Sequence, residues 1–377
     1  MVDPPLHIPL ELDPFAGCQP LPSEYIGLRQ SEIDDRIRAV KLKLGRRLVV
    51  LGHHYQRDEV IEHADYAGDS LRLARLAASR PEADFIVFCG VHFMAESADI
   101  LCGPRQQVIL PDMGAGCSMA DMAAIEDVER CWNEMGAAGI DDVIPMTYIN
   151  SNAAIKAFCG RNGGAVCTSS NSGAALEWAL ARGSRVLFIP DEHLGRNTAH
   201  RLGVRLDEMA VWDPADGEEQ AGRLPFDKAR IILWKGHCSV HMNFSVEQIN
   251  RLRERHPGIR VIVHPECRFD VVQASDESGS TERIIARVSE SEPGSVWGVG
   301  TEINLVNRLA ATLAPERTVL SLEPFGCRCS TMSRVSPNHL LWVLEELVAG
   351  RVPNRVSVPV EQKEWARVAL DRMLAIG

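Results

Sequence analysis

Glu323-Pro324-Phe325-Gly326-Cys327-Arg328-Cys329-Ser330-Thr331-Met332 decides how this chain is read. The apolar run Thr318 to Leu322 precedes it and reads as a strand. Ser336-Pro337-Asn338-His339 follows it and opens a helix. Two cysteines therefore stand in a glycine-containing turn where a strand gives way to a helix. In open α/β sheets, functional groups gather at such strand ends. Two more cysteines share the setting. Cys117 lies in Leu110-Pro111-Asp112-Met113-Gly114-Ala115-Gly116-Cys117-Ser118-Met119, and Cys238 lies in Leu233-Trp234-Lys235-Gly236-His237-Cys238-Ser239-Val240-His241. Each comes just after a hydrophobic strand. The pattern predicts that three distant strand-end cysteines converge on one metal centre.

The same arrangement repeats outward from these loops. Leu48 to Leu51 is a strand that runs into Gly52-His53-His54-Tyr55-Gln56, and Asp69 caps the helical pattern Ser70 to Leu76. Phe85 to Phe88 and Val108 to Leu110 follow as strands, the latter ending at the Cys117 loop. The pattern then restarts. Val143 to Met146 ends at Thr147-Tyr148-Ile149-Asn150, Ala165 to Cys167 at Thr168-Ser169-Ser170-Asn171, and Val186 to Ile189 at Pro190-Asp191-Glu192-His193-Leu194-Gly195-Arg196. A polar stretch, Asp213 to Arg223, reads as a loop near a boundary. Beyond it, Ile231 to Trp234 leads to Cys238, Ile259 to Val263 ends at His264-Pro265-Glu266-Cys267, and Val296 to Val299 ends at Gly300-Thr301-Glu302. Strands alternating with helical stretches predict an α/β fold of parallel sheets covered by helices, in three related units. The expected segments are an arm over 1–30, a first unit over 31–122 with Cys117, a second over 123–212, a third over 213–335 with Cys238 and Cys329, and C-terminal helices over 336–377 that pack back on the body.

Composition narrows the classes of function. A chain of 377 residues with 45% hydrophobic content builds more than one small domain. Its 40 basic and 51 acidic residues give −11, the wrong sign for a nucleic-acid binder. Small anionic substrates remain compatible, because a local arginine, histidine or helix terminus overrules net charge. Met1 to Asp13 lacks the basic and apolar regions of a signal peptide, and no run of 18 apolar residues marks a membrane span. The cysteine count, 11, is odd and argues against a secreted disulfide scaffold. The expected location is the cytoplasm. Cys89, Cys102, Cys131, Cys159 and Cys167 sit within or beside apolar segments and read as small buried apolar residues.

What stands out is polar chemistry at the tips of apolar strands. His53, His54, Tyr55, Tyr148, Asn150, Ser169, His193, His264 and Glu266 all hold that position. One such group means little, but nearly every strand carrying one predicts a common site at the sheet tips. There is no complete dinucleotide-binding glycine fingerprint, no Walker loop and no Cys-x-x-Cys pair. Three thiolates fill three corners of a [4Fe-4S] cluster and leave a fourth iron open as a Lewis acid; zinc is the rival metal. A zinc-dependent hydrolase or lyase, and a non-catalytic iron–sulfur redox or sensor protein, are the alternative functions.

These motifs resemble the quinolinate synthase family. The likeness rests on Gly52 to Gln56, Asp112 to Met119, Tyr148-Ile149-Asn150, Thr168 to Asn171, Pro190 to Arg196, His264 to Cys267, Gly279-Ser280-Thr281 and the Cys238 and Cys329 segments, and it covers roughly 35–350. The resemblance implies three three-layer αβα domains with mainly parallel sheets, set with pseudo-threefold symmetry around a central active site. It implies condensation of iminoaspartate with dihydroxyacetone phosphate to quinolinate, phosphate and water, on the route to NAD. It also implies a transient partnership with the enzyme supplying iminoaspartate. Carried over by residue, Cys117, Cys238 and Cys329 resemble the ligands of a [4Fe-4S] cluster. Glu266, Tyr55 and His264 resemble the catalytic groups. His53, Ser70, Tyr148, Asn150, Ser169, His193, Ser280 and Thr281 resemble groups that hold carboxylates and phosphate. Some family members carry Cys-x-x-Cys-x-x-Cys at the last ligand, where this chain has Cys327-Arg328-Cys329. Cys329 keeps the family spacing to Met332, which leaves Cys327 as a spare or redox-sensitive thiol; Cys267 is not expected to be a ligand. A partly dry pocket is expected to raise the pKa of Glu266.

Overall fold

The computed structural model describes residues 17–216, 220, 228–323 and 327–376. The beginning of the expected arm, the 217–219 and 221–223 parts of the polar stretch and the 324–326 turn lie outside the described residues.

The first sheet is built from β1 (Leu48–His53), β2 (Tyr66–Gly68), β3 (Phe85–Cys89) and β4 (Gln107–Ile109). The second holds β5 (Val143–Tyr148), β6 (Ala165–Cys167), β7 (Arg185–Ile189), β8 (Met209–Trp212) and β9 (Ile231–Trp234). The third holds β10 (Arg260–Val263), β11 (Glu277–Ser278), β12 (Val296–Gly300) and β13 (Thr318–Ser321). A short β14 (Arg355–Val356) joins the first sheet antiparallel to β4. All other pairings among these strands are parallel. β1 and β3 are buried along their whole length, which is why they read as unbroken apolar runs without alternation: helices cover both faces.

One order recurs in all three sheets: β2-β1-β3-β4, β6-β5-β7-β9 and β11-β10-β12-β13. The weak sequence likeness between units thus becomes a plain repeat of topology. The second sheet departs only by adding β8 outside β9. β9, grouped from sequence with the third segment, hydrogen-bonds between β7 and β8 of the second sheet. The reason is local. β8 ends at Trp212 and β9 begins at Ile231, so the polar stretch is flanked on both sides by strands of the second sheet.

The C-terminal segment ties units together. Helix Pro337–Val348, capped by Ser336, lies against helix Gln30–Leu44. There Glu345 accepts from Arg36 at 2.8 and 2.9 Å and from the Tyr25 hydroxyl at 2.7 Å. Helix Val360–Ile376 packs on helix Ala153–Arg161. Its Arg367 donates to the Ile100 carbonyl at 2.6 Å, and its Met373 carbonyl accepts from Asn171 at 3.2 Å. No helix among the described residues is long and apolar enough to cross a membrane.

Gly160 sets how closely those two helices approach, since a Cβ there would lie 2.0 Å from the Trp365 carbonyl oxygen. Backbone on the opposing side cannot rotate away as a side chain can. Gly160→Ala is therefore expected to cost about 1–3 kcal/mol, the usual scale of overpacking, and to lower the melting temperature. An unchanged thermal transition in that variant would show that the helix pair is not held at this distance.

Candidate active site

The repeated topology explains which residues meet. Each unit's first strand ends in polar side chains: His53 closing β1 with Tyr55 beyond it, Tyr148 closing β5 with Asn150 beyond it, and His264 and Glu266 after β10. Each second strand runs into hydroxyls at or beside a helix start: Ser70, Ser169, and Ser280 with Thr281. The fourth strand in the shared spatial order of each sheet is followed by one of the cysteines: Cys117 after β4, Cys238 after β9, Cys329 after β13. Equivalent positions in three units converge on one cavity.

That cavity is lined by Cys117, Cys238, Cys329, His53, Tyr55, Ser70, Tyr148, Asn150, Ser169, His264, Glu266 and Thr281. Of the residues singled out in sequence, His54, His193 and Ser280 do not line it; His54 Nε2 lies 3.0 Å from Glu282 instead. Ser280 is a buried helix cap whose Oγ accepts the Arg283 N–H at 3.4 Å. His193 is half-buried, with Nδ1 buried and without a hydrogen-bond partner. Phe93, Met94, Val91, Met119, Val240 and Ile149 supply apolar lining, and Thr168 adds a hydroxyl.

Glu266 is the most constrained of these groups. Its Oε1 accepts from the Tyr148 hydroxyl at 2.5 Å, and its Oε2 meets His241 Nδ1 at 2.7 Å. The imidazoles of His241 and His264 stack with centroids 4.5 Å apart. The peptides flanking Glu266 are pinned as well, because Asn197 Nδ2 donates to the carbonyls of Pro265 and Cys267 at 2.9 and 2.8 Å. Burial alone would raise the carboxyl pKa, as expected from sequence. The imidazoles of His264 and His241, with the hydrogen bonds from His241 and Tyr148, more than reverse it and hold Glu266 down at about 2. The sequence reading counted the dry pocket but not the donors. Burial drives His53 and His264 to about 3, so both are neutral imidazoles. It also lifts the Tyr55 and Tyr148 phenols well above their ordinary value, helped by the nearby Glu266, so both are proton donors.

The three cavity cysteines are free thiols, as are all eleven in the chain. Burial pushes Cys117 up to about 12 and raises Cys238 and Cys329 as well. Backbone N–H groups act against that: those of Ala120 and Met119 at Cys117, of His241 at Cys238, and of Met332 and Thr331 at Cys329. Such donors favour thiolate, and a cation among the sulfurs completes the change. Cys238, His241 and Glu266 also bring one ligand atom each within 4.8 Å of one another. The donor set therefore fits a metal centre. Cys89, Cys102, Cys131, Cys159 and Cys167 are buried away from this cavity among apolar neighbours.

His241, Thr301 and Glu302 were missed as site residues. His241 stands three residues after Cys238, a Cys-x-x-His spacing in a strand-end loop that could have flagged it. Thr301 and Glu302 end β12 and are fully buried. Glu302 accepts the backbone N–H of Cys329 at 3.4 Å, and burial lifts its carboxyl to about 7.

Residues 35–375 match the family model described as NadA, quinolinate synthetase A protein. The chain is 56% identical over 358 residues to the quinolinate synthase of Acidobacterium capsulatum, covering 93% of this chain and 95% of the relative. Against that of Geobacillus thermodenitrificans the identity is 54% over 366 residues, with 97% and 99% covered. Against that of Corynebacterium glutamicum it is 52% over 375 residues, with 99% and 93% covered.

Proposed function

Because the chain belongs to the quinolinate synthase family, it is an enzyme that forms quinolinate, and we propose that it does so from iminoaspartate and dihydroxyacetone phosphate around a [4Fe-4S] cluster held by Cys117, Cys238 and Cys329. The observation that carries this reading is the meeting of one cysteine from each unit with Glu266, Tyr148 and Tyr55 in a single cavity. When bound, the cluster supplies an iron without a protein ligand as Lewis acid for a substrate oxygen.

The chain's own residues divide the remaining work. Ser70, Ser169 and Thr281 offer hydroxyl donors to carboxylate and phosphate oxygens without adding charge, and Asn150 brings a buried Oδ1 with no internal partner. His53 and His264 act as neutral donors or acceptors. Tyr55 and Glu266 face the substrate space as the acid–base pair, with Tyr148 orienting Glu266. Apolar lining from Phe93, Met94 and Met119 keeps water from an imine that water would hydrolyse. Free thiols throughout fit a reducing compartment, and we assign the protein to the cytoplasm, where a transient encounter with the enzyme supplying iminoaspartate would shorten the life of that imine in water.

Cys238, His241 and Glu266 alone would suit zinc. Two further thiols in the same cavity favour a sulfur-bridged iron centre. Protein purified without oxygen is expected to carry iron and acid-labile sulfide and to form quinolinate and phosphate in equal amounts. Zinc in place of iron, or no quinolinate from iron-loaded protein, would overturn the reading.

A further inference from the structure

Lys156 is a buried charge with no part in the acid–base chemistry. It stands in the first turn of helix Ala153–Arg161 at 0% exposure, among the largest fully enclosed side chains. Its stem turns back so that Nζ donates to the Ser151 carbonyl. Nζ also lies 5.5 Å from the centre of the Phe93 ring, and Phe93 lines the cavity. Among the described residues the ammonium forms no ion pair. Glu96 attracts it most, but that carboxylate is committed elsewhere: Oε2 accepts the Ala153 N–H at 3.0 Å, and Oε1 lies 3.8 Å from His92 Nδ1. Burial lowers Lys156 to about 8, with Glu96, Cys159 and Cys117 opposing it, so the ammonium form prevails at neutral pH.

Burying an ammonium without a carboxylate in contact is costly, and a methionine would fill similar space without that cost. The cavity supplies a reason for the charge. Its described lining holds the carboxyls of Asp69 and Glu266 and three cysteines, but neither an arginine nor a lysine. Iminoaspartate, dihydroxyacetone phosphate and quinolinate are all anions. Hydroxyls orient such ligands yet leave their charge in a dry space of low dielectric, where charges act on one another most strongly. Lys156 sits against one wall residue, Phe93, and feels the charge of another, Cys117. It also ties the turn that presents Tyr148 and Asn150. Ser151 Oγ donates to the Tyr148 carbonyl at 2.8 Å, the Ser151 N–H donates to the Ile149 carbonyl at 2.8 Å, and Lys156 takes the Ser151 carbonyl.

We propose that Lys156 is a positioning residue that supplies the counter-charge of the cavity, favouring dianionic ligands by its field while it fixes the turn that carries Tyr148 and Asn150. The inference rests on the reading of the ligands as quinolinate and its precursors. Electrostatic work scales with ligand charge, so the effect is graded: a ligand with two carboxylates gains roughly the square of the factor that one with a single carboxylate gains. A lysine or arginine in the lining itself would pair directly with a carboxylate and hold the product as firmly as the substrates. A charge set one layer back attracts each anion in turn without fixing any of them in one orientation. That suits a cavity whose contents change from two acyclic substrates to one flat ring.

Lys156→Met keeps the stem and removes the charge; Lys156→Gln removes the charge but keeps an N–H for the Ser151 carbonyl. Equilibrium binding of quinolinate, and of picolinate, the same ring with a single carboxylate, is measured on iron-loaded protein without oxygen. Both variants are expected to weaken quinolinate about tenfold and picolinate only about threefold, the scale of one interior charge acting on two charges and on one. Melting temperatures without ligand are expected to stay level or rise, because a buried charge has been removed. A purely structural lysine predicts the opposite, lower melting temperatures and equal losses for the two ligands. If methionine prevents folding, the glutamine variant carries the same test. Unaltered enzyme that binds no quinolinate would overturn the functional reading itself. Unaltered enzyme that binds quinolinate, beside variants that bind it equally well, or that lose both ligands equally, or beside a methionine loss that glutamine abolishes, would overturn the counter-charge alone.

Discussion

Cys238→Ser, purified without oxygen, is expected to lose most of its iron and sulfide and nearly all quinolinate formation. Cys117→Ser and Cys329→Ser are expected to behave alike. Serine matches cysteine in shape but offers a harder, far less acidic donor, and a buried alkoxide gains little from a soft iron centre. Each loop is also built around sulfur. Cys117 caps the turn Ser118–Asp121, Cys238 receives the His241 N–H, and Cys329 receives those of Thr331 and Met332. Disturbing an outer contact of a metal site costs roughly 10–100-fold in affinity or activity, and removing one of three ligands exceeds that. Cys267→Ser and Cys327→Ser serve as controls. Cys267 is buried with its Sγ 3.9 Å from the Gly300 carbonyl, and both thiols belong to an apolar cluster outside the cavity lining. They are expected to retain iron. Full iron loading in Cys238→Ser would sink the three-cysteine assignment, whatever activity remained.

The strands that position these cysteines were legible because burial on both faces leaves runs such as Leu48 to Leu51 and Phe85 to Phe88 without a polar residue. Strands β2, β11 and β14 were not, since two or three residues such as Glu277–Ser278 carry no periodicity. Their identity comes from pairing with a neighbour, Val263 opposite Ser278 for instance, which is tertiary information. The same limit hid the true place of β9. A polar stretch between β8 and β9 looks in sequence like any boundary between units, and only register shows that Ile231 pairs with both Val186 and Met209.

Site residues divided along a similar line. Groups that end a strive-free apolar run, such as Tyr148, His264 and Glu266, could be picked out because a polar side chain at a buried strand tip needs a reason. Thr301 and Glu302 also end such a strand, yet a threonine and a helix-capping glutamate are ordinary there, and nothing local marks them. Their weight comes from partners far away in the chain: Tyr55 for Thr301, and the Cys329 backbone for Glu302. The pKa of Glu266 failed for the same reason. Sequence showed a carboxyl heading into an apolar core, but not the Tyr148 hydroxyl arriving from another sheet.

Glu266→Gln is expected to lower turnover by roughly 10²-fold or more, the usual scale of general acid–base catalysis, while iron content and substrate binding persist. The substitution is close to isosteric, and the surroundings can absorb it. The Tyr148 hydroxyl can rotate to accept from an amide, His241 can keep its bond to the amide oxygen, and Asn197 still holds the Pro265 and Cys267 carbonyls. What disappears is the carboxylate held between Tyr148 and His241 that can take and return a proton. Held at about 2, Glu266 is ionised throughout the working range and starts each cycle as a base or acceptor, not as an acid. It becomes an acid only when a proton is delivered to it, which is why its two short hydrogen bonds matter as much as its charge. An amide cannot enter that exchange. The measurement is single-turnover and steady-state quinolinate formation without oxygen at saturating substrates, alongside iron content. Turnover equal to that of the unaltered enzyme would reject Glu266 as the base and leave Tyr55 or His264 to move the proton. Turnover lost together with iron would instead make the carboxylate part of the metal centre, consistent with its closeness to Cys238 and His241.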